Sequence, residues 1–207
     1  MNKILLEDEP KIKSVAFQDA FKSLTENDVK DDKEIKAVIN IYTTTKDLYI
    51  RNTCIKLLYN KSNEMLNDFF EKAFKKERYL DMKILALRGL VNYIKENDIK
   101  KLLTKFNKTL RKRQETTPYN YQEYELLLGK NSLPYLHKKY PYDCIKETLD
   151  IVQKQYNEMP DAFKGHFTVD ENGNTVALRS LGESSKMIDD FFRNEKYYKK
   201  VRRLTNG

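Results

Sequence analysis

Glycine and proline are both scarce, 6 and 5 residues in a chain of 207. The prolines stand at Pro10, Pro118, Pro134, Pro141 and Pro160, which leaves long stretches without a helix breaker, so helix is expected to dominate. Cysteine is nearly absent. Cys54 and Cys144 are far apart in sequence and each lies within an apolar helical pattern, which favours reduced, buried thiols over a disulfide or a metal ligand. No run approaches the roughly 18 consecutive apolar residues of a membrane span, and the short apolar start MNKILLEDEP does not read as a signal peptide. A cytoplasmic protein without membrane segments is the expectation. Catalytic punctuation is missing too: there is no Gly-rich phosphate loop, nucleophile elbow, HExxH or Cys/His cluster at metal spacing. Acidic residues are numerous and read as surface carboxylates. No enzyme, no cofactor and no metal is expected.

What the chain has is charge, 34% of its residues, with 40% apolar, a balance usual for helices that bury one stripe and solvate the rest. The overall net charge of +8 is unevenly spread: −3 over residues 1–34, +4 over 35–99, +7 over 100–140 and zero over 141–207. A positive field centred on 100–140 predicts an acidic partner.

Helical periodicity recurs along the chain. Ile35, Val38, Ile39 and Tyr42 follow the i, i+3, i+4, i+7 spacing of an amphipathic helix. The pattern returns at Leu66, Phe69, Phe70, Ala73, then at Ile99, Leu102, Leu103, Phe106, and again at Leu133, Leu136, His137, Tyr140, with offsets of 31, 33 and 34 residues. Interleaved with these, Ile50-Arg51 with Cys54, Leu57 and Leu58 matches Met82-Lys83 with Ala86, Gly89 and Leu90 at an offset of 32. A helix pair of this length cannot bury both apolar faces alone, so stacking on neighbours is expected. Gly89, in mid-helix, implies a packing reason for its presence. Asp32, Asp47, Asn63, Asp98 and Ser132 stand where N-caps belong, and Pro134 fits a first turn after Ser132.

The stretch Asp47 to Leu58, with Ile50-Arg51, Cys54, Leu57 and Leu58, resembles the first helix of a HEAT repeat, in which an acidic residue precedes an aliphatic-Arg pair, a small residue and Leu. Asp81-Met82-Lys83 with Ala86 and Leu90 resembles it less faithfully, and Ile145-Lys146 with Leu149 and Val152 is a weak third copy. The resemblance to HEAT/armadillo-like repeats covers residues 33–157 and departs at 115–128, where Tyr119, Glu123, Leu126 and Leu127 match loosely. It implies an all-α superhelix of stacked antiparallel helix pairs whose second helices line a concave surface. The chain thus reads as one domain: an acidic N-terminal helix and loop at 1–32, repeats at 33–157, and a hairpin plus C-terminal helix at 158–207.

That last region carries the alternating pattern Phe167 to Leu178 around Asn172-Gly173, the signal for a β-hairpin with a type I′ turn. Asp170, Asn172 and Asn174 resemble the start of a calcium loop, but Thr175 stands where Gly is needed and Leu181 where the bidentate Glu belongs. Residues 184–204 read as a helix with Met187, Ile188, Phe191 and Phe192 apolar and Lys196, Lys199, Lys200, Arg202 and Arg203 at its basic end, where the helix dipole favours cations.

Lys101, Lys105, Lys108 and Lys112 form a basic stripe at i, i+4, i+7, i+11, with Arg111 and Arg113 beside it. Sister helices supply Lys72, Lys75, Lys76, Lys138 and Lys139, and the tyrosines near the stripe include Tyr121 and Tyr135. His137 takes a core position of the repeat and reads as packed rather than catalytic. The candidate binding residues are therefore Lys72, Lys76, Lys101, Lys105, Lys108, Lys112, Lys138, Tyr121 and Tyr135. The leading expectation is a non-catalytic module that captures an acidic protein, a bacterial immunity or inhibitor protein being one concrete form. The alternative is a DNA- or RNA-binding protein resembling the HEAT-like alkylation-repair glycosylases; those rely on Trp-lined sites, and this chain has no Trp.

Overall fold

The protein's structure, a computed structural model, describes residues 14–116, 121–129, 132–169 and 175–205, with side chains described at 14–116, 124–129, 132–168 and 175–196. It is all-α with one small antiparallel hairpin. The helices are α1 (Val15–Lys22), α2 (Asp32–Thr44), α3 (Leu48–Leu58), α4 (Met65–Lys76), α5 (Leu80–Leu90), α6 (Glu96–Thr116), α7 (Leu133–Lys139), α8 (Asp143–Glu158) and α9 (Leu181–Thr205). Short 3-10 turns occupy Glu26–Asp28, Tyr121–Leu127 and Asp161–Phe163, and the strands are β1 (Phe167–Val169) and β2 (Thr175–Ala177). Among the described residues no helix is long and apolar enough to cross a membrane. Two compact units divide the chain, Met1–Ile99 and Lys100–Gly207.

In the first unit α3 packs on α1, α2 and α5, and α4 packs on α5. Connections of three residues separate α2 from α3 and α4 from α5, which folds each pair back on itself. The helix that resembles the start of a HEAT repeat, α3, thus lies on the helix before it and on α5. Tyr42 of α2 meets Phe69 of α4 edge-on at 5.0 Å, so the two stripe helices touch as well. The stripe residues supply the core: Ile35, Val38, Tyr42, Leu66, Phe69, Phe70 and Ala73 are buried, with Ile39 half-buried. All of α5 except Asp81 and Lys83 is buried. A helix covered on nearly every side must be apolar nearly all round, which is how the sequence from Leu80 to Leu90 reads.

Gly89 has the packing reason its position implies. A Cβ built there would fall 2.5 Å from both Cε atoms of the Phe70 ring, so α4 and α5 approach through the missing side chain. Cys54 and Cys144 are buried thiols, and burial pushes the Cys54 thiol well up from its ordinary value.

Capping follows the expected chemistry with three displacements. Asp47 caps α3 by accepting the Ile50 N–H at 2.9 Å, and Ser132 precedes α7 with Pro134 in the first turn. The α2 cap is Asp31, not Asp32: its Oδ1 accepts the Glu34 N–H at 2.9 Å while Glu34 Oε2 accepts the Lys30 N–H at 2.7 Å. Asn63 stands one residue before the α4 cap, Glu64, and still accepts the Met65 N–H at 3.0 Å. Asp98 lies inside the first turn of α6, where its charge meets the positive end of the helix dipole. Replacing Asp47 by Ala is expected to cost about 1 kcal/mol, read as a lower urea midpoint at unchanged slope.

In the second unit α7 packs on α8, and α8 on the 3-10 turn Tyr121–Leu127. That turn falls in the stretch 115–128, where the resemblance is loose, and it is a 3-10 helix, not an α-helix. Tyr140 departs from the stripe, ending α7 as its C-cap with extended backbone, because Pro141 disfavours a helical conformation in the residue before it. Gly129 adopts φ 71°, a left-handed conformation that glycine takes without penalty, and its carbonyl accepts the Ser132 hydroxyl at 2.6 Å.

The hairpin forms as expected, pairing Phe167 with Ala177, Thr168 with Val176 and Val169 with Thr175. The Asn172-Gly173 turn and the calcium-loop-like Asp170 to Asn174 lie outside the described residues. Tyr124 anchors the hairpin: its ring stacks on Tyr156 at 4.8 Å, its hydroxyl donates to the Phe167 carbonyl, and it covers Gly165 so closely that a Cβ there would meet the ring. Burial raises the pKa of both Tyr124 and Tyr156. Arg179 ties the hairpin to α9, donating to the Asp161 carbonyl at 3.0 Å, to the Lys164 carbonyl and to Ser184 Oγ at 3.1 Å.

Candidate functional site

The long helix α6 places Glu96 and Asp98 at its positive end and Arg113 in its last turn. Ile99, Leu103, Phe106 and Leu110 are buried along one side. At about 100° per residue, Lys101, Lys105, Lys108 and Lys112 project from the opposite side, and all four are exposed. The stripe runs about 16 Å along the helix axis at 1.5 Å per residue. Lys105, Lys108 and Lys112 make no ion pair among the described residues.

This arrangement opposes helix stability. Like charges three and four residues apart repel by about 0.2–0.5 kcal/mol per pair, and the stripe contains three such neighbouring pairs. Arg111 is committed elsewhere: it reaches across to Glu147 of α8 at 3.5 Å. Gln114 donates to Glu158 at 3.3 Å, and Gln155 donates to the Leu110 carbonyl at 3.4 Å and to Gln114 Oε1 at 3.3 Å. The side of α6 toward α8 is therefore a polar seam, and the lysines lie outside it.

The other candidates divide between the units. Lys72 and Lys76 are exposed on α4 in the first unit. Lys76 lies 5.5 Å from the centre of the Tyr42 ring, a cation–π contact, and Lys75 is engaged with Glu71. In the second unit Lys138 is exposed and Tyr135 half-buried on α7, and Lys139 stands over the Tyr140 ring at 5.2 Å. His137 is half-buried in the last turn of α7. Tyr121 begins a 3-10 turn, and its side chain lies outside the described residues; Tyr119 lies outside them altogether.

Sequence reasoning placed the carboxylates at the surface, and among the described residues two of them are buried. Glu34, capping α2, is fully buried, and Glu77, in the turn between α4 and α5, is 3% exposed. Glu77 accepts the Tyr42 hydroxyl at 2.5 Å and an Arg51 Nη2 hydrogen bond at 3.2 Å, with Arg51 Nε at 3.1 Å within ion-pair distance. Burial, and then the Glu77 carboxylate, hold the Tyr42 phenol far above its usual range. Lys83 donates to the Phe74 carbonyl beside this group, and burial lowers its pKa. The cluster joins α2, α3 and the α4–α5 turn, with both carboxylate oxygens engaged, and acts as an interhelix lock. Its only sequence signal is Arg51 in the HEAT-like stretch, which gives no hint of Glu77 as partner.

A shallow depression of about 380 Å³ lies between the end of α1 and α3, lined by Lys22, Thr25, Glu26, Thr53, Lys56 and Tyr59 among others. Lys22 stands over the Tyr49 ring at 5.6 Å and Glu26 accepts a hydrogen bond from Asn60 at 2.7 Å, so its mixed charges favour neither sign. Among the described residues no three His, Cys, Asp or Glu side chains converge as metal ligands. No protein-family model, curated protein or solved structure matches this chain.

Proposed function

We propose that this chain is a non-catalytic binding module and that the lysine face of α6 docks an acidic protein, an immunity or inhibitor protein being the concrete form. The observation that carries the reading is the placement of Lys101, Lys105, Lys108 and Lys112, all exposed and opposite the buried face of their helix. Three cations, Lys105, Lys108 and Lys112, held in a row without an ion pair among the described residues are explained by a partner that neutralises them. Lys138, exposed in the same unit, adds to the positive field. Stacked HEAT-like pairs would suit such a module, since helical repeat proteins offer extended surfaces to other macromolecules.

The test compares the native chain with a Lys105→Glu/Lys108→Glu/Lys112→Glu variant of unchanged helical circular dichroism. Affinity purification from the native host, with nuclease treatment throughout, should recover an acidic protein at fixed stoichiometry. The variant should bind that protein at least about tenfold more weakly, and rising salt should weaken the native complex in the same direction. Recovery of no such partner, together with tight and strongly salt-dependent binding of purified chain to duplex or single-stranded nucleic acid, would sink the reading in favour of backbone recognition.

A further inference from the structure

We infer, resting on the docking role proposed above for the lysine face of α6, that its occupant is a short acidic segment of the partner in extended conformation, about five residues long. Carboxylates at both ends of the row limit what it accepts. The row steps by four, three and four residues from Lys101 to Lys112. The same period continued three residues further in each direction reaches Asp98 and Glu115, both exposed on α6. At about 100° per residue, each stands within about 50° of the middle of the row. A run of four cations is thus closed by an anion at each end.

Helix electrostatics accounts for one of these anions and not for the other. Asp98, in the first turn, meets the positive end of the dipole; Glu115, next to the last residue, meets the negative end, where a carboxylate is disfavoured. Glu115 therefore acts as a boundary and not as a helix stabiliser. The lysines span about 16 Å along the axis, the reach of about five extended residues. An acidic segment of that length ends before it meets either carboxylate. A polynucleotide carries its charge on past the row and runs into them.

The chemistry of the face selects an unfolded occupant. From 100 to 112 every exposed residue of α6 is Lys, Arg or Thr. A folded partner is held by apolar or aromatic anchors at a desolvated centre of its interface, and unpaired bases are held by stacking on aromatic rings; this stretch exposes neither. Thr104 and Thr109 turn their hydroxyls to the carbonyls of Lys100 and Lys105, at 2.7 and 3.2 Å, so the ammonium groups are the donors the row presents. A segment dense in Asp or Glu meets them one after another and needs no preformed shape to do so.

Fluorescence anisotropy at low salt tests the inference on the full chain with three labelled probes: a peptide of five glutamates flanked by Gly-Ser, its glutamine counterpart, and single-stranded oligothymidylate. The glutamate peptide should bind at least about tenfold more tightly than the glutamine one, and more tightly than oligothymidylate. A Lys105→Glu/Lys108→Glu variant should bind the glutamate peptide at least about tenfold more weakly than the native chain. Glu115→Lys lengthens the row by one step and suits the helix dipole. It should strengthen oligothymidylate binding about fivefold and peptide binding by less than about twofold. Helical circular dichroism of each variant guards against unfolding. Equal binding of the two peptides by the native chain overturns the inference. So does tighter native binding of oligothymidylate than of the glutamate peptide, or a Glu115→Lys gain as large for the peptide as for the oligonucleotide. If affinity purification recovers an acidic protein whose binding needs the lysines but survives loss of its acidic segments, the inference fails while the docking reading stands.

Discussion

Replacing Glu77 by Ala should cost the first unit about 3–5 kcal/mol, the effect of removing one partner from a buried ion pair. The side chain of Glu77 is 1% exposed and that of Arg51 18%. Without the carboxylate, Arg51 is left as a largely buried cation and the Tyr42 hydroxyl loses its acceptor. Urea unfolding at constant slope would measure the loss, which is large against the 5–15 kcal/mol total of an ordinary domain. Glu77→Gln should cost less, because the amide oxygen still accepts from Tyr42 while the charge is gone. A loss below about 1 kcal/mol for Glu77→Ala would mean that water reaches the site and that the lock contributes little.

The same cluster carries a pH signature. The folded Tyr42 phenol is held above its ordinary value, near 10 for an unperturbed tyrosine. Its contribution to stability is complete below the unfolded value and is lost as pH rises through and beyond it, because only the unfolded phenol then ionises. Tyr124 and Tyr156 shift in the same direction in the second unit. Stability should therefore fall above about pH 10, and Tyr42→Phe should flatten part of that fall.

Gly89→Ala should destabilise the protein although alanine is the better helix former. The propensity gain is about 1 kcal/mol. Against it stands a Cβ forced to within 2.5 Å of the Cε atoms of Phe70. Phe70 is fully buried, packed edge-on to Phe69 at 5.0 Å and stacked near Tyr93 at 6.4 Å, so its ring has no free space to enter. Overpacking of this kind costs about 1–3 kcal/mol, and the backbone of α5 must shift as well. A net loss of about 2 kcal/mol is expected, read as a lowered melting temperature. Phe70→Leu should relieve it, so the double variant should lose less than the sum of the single ones. Strict additivity would show that the two residues do not share the contact.

Local rules made much of this fold readable. Stripes such as Leu66, Phe69, Phe70 and Ala73 are buried as their spacing predicts, because a 3.6-residue period leaves an amphipathic segment one face to cover. Asp47 caps α3 as read and Ser132 takes the N-cap position of α7 without a side-chain cap bond, while Asp32 and Asn63 miss by one residue, Asp31 accepting the α2 N–H in place of Asp32. The basic stripe was legible for the same reason as the apolar one: both lie on a single helix, where spacing alone fixes the face.

Contacts between distant segments were not legible. Glu77 reads as one more surface carboxylate until Tyr42 and Arg51, 35 and 26 positions away, close on it. Arg111 reads as one more cation beside the stripe until Glu147 of α8 pairs with it. The exposure of residues 181–196 of α9 is of this kind too, since Met187, Ile188, Phe191 and Phe192 have the spacing of a core-facing stripe and only packing shows that none of them is buried. By itself the sequence determined helix type, helix faces and the sign of the surface, because those follow from each residue's neighbours within a turn. Tertiary structure decided which charges are buried, which are paired and which apolar stripe is left partly exposed, because these depend on what packs across the gap.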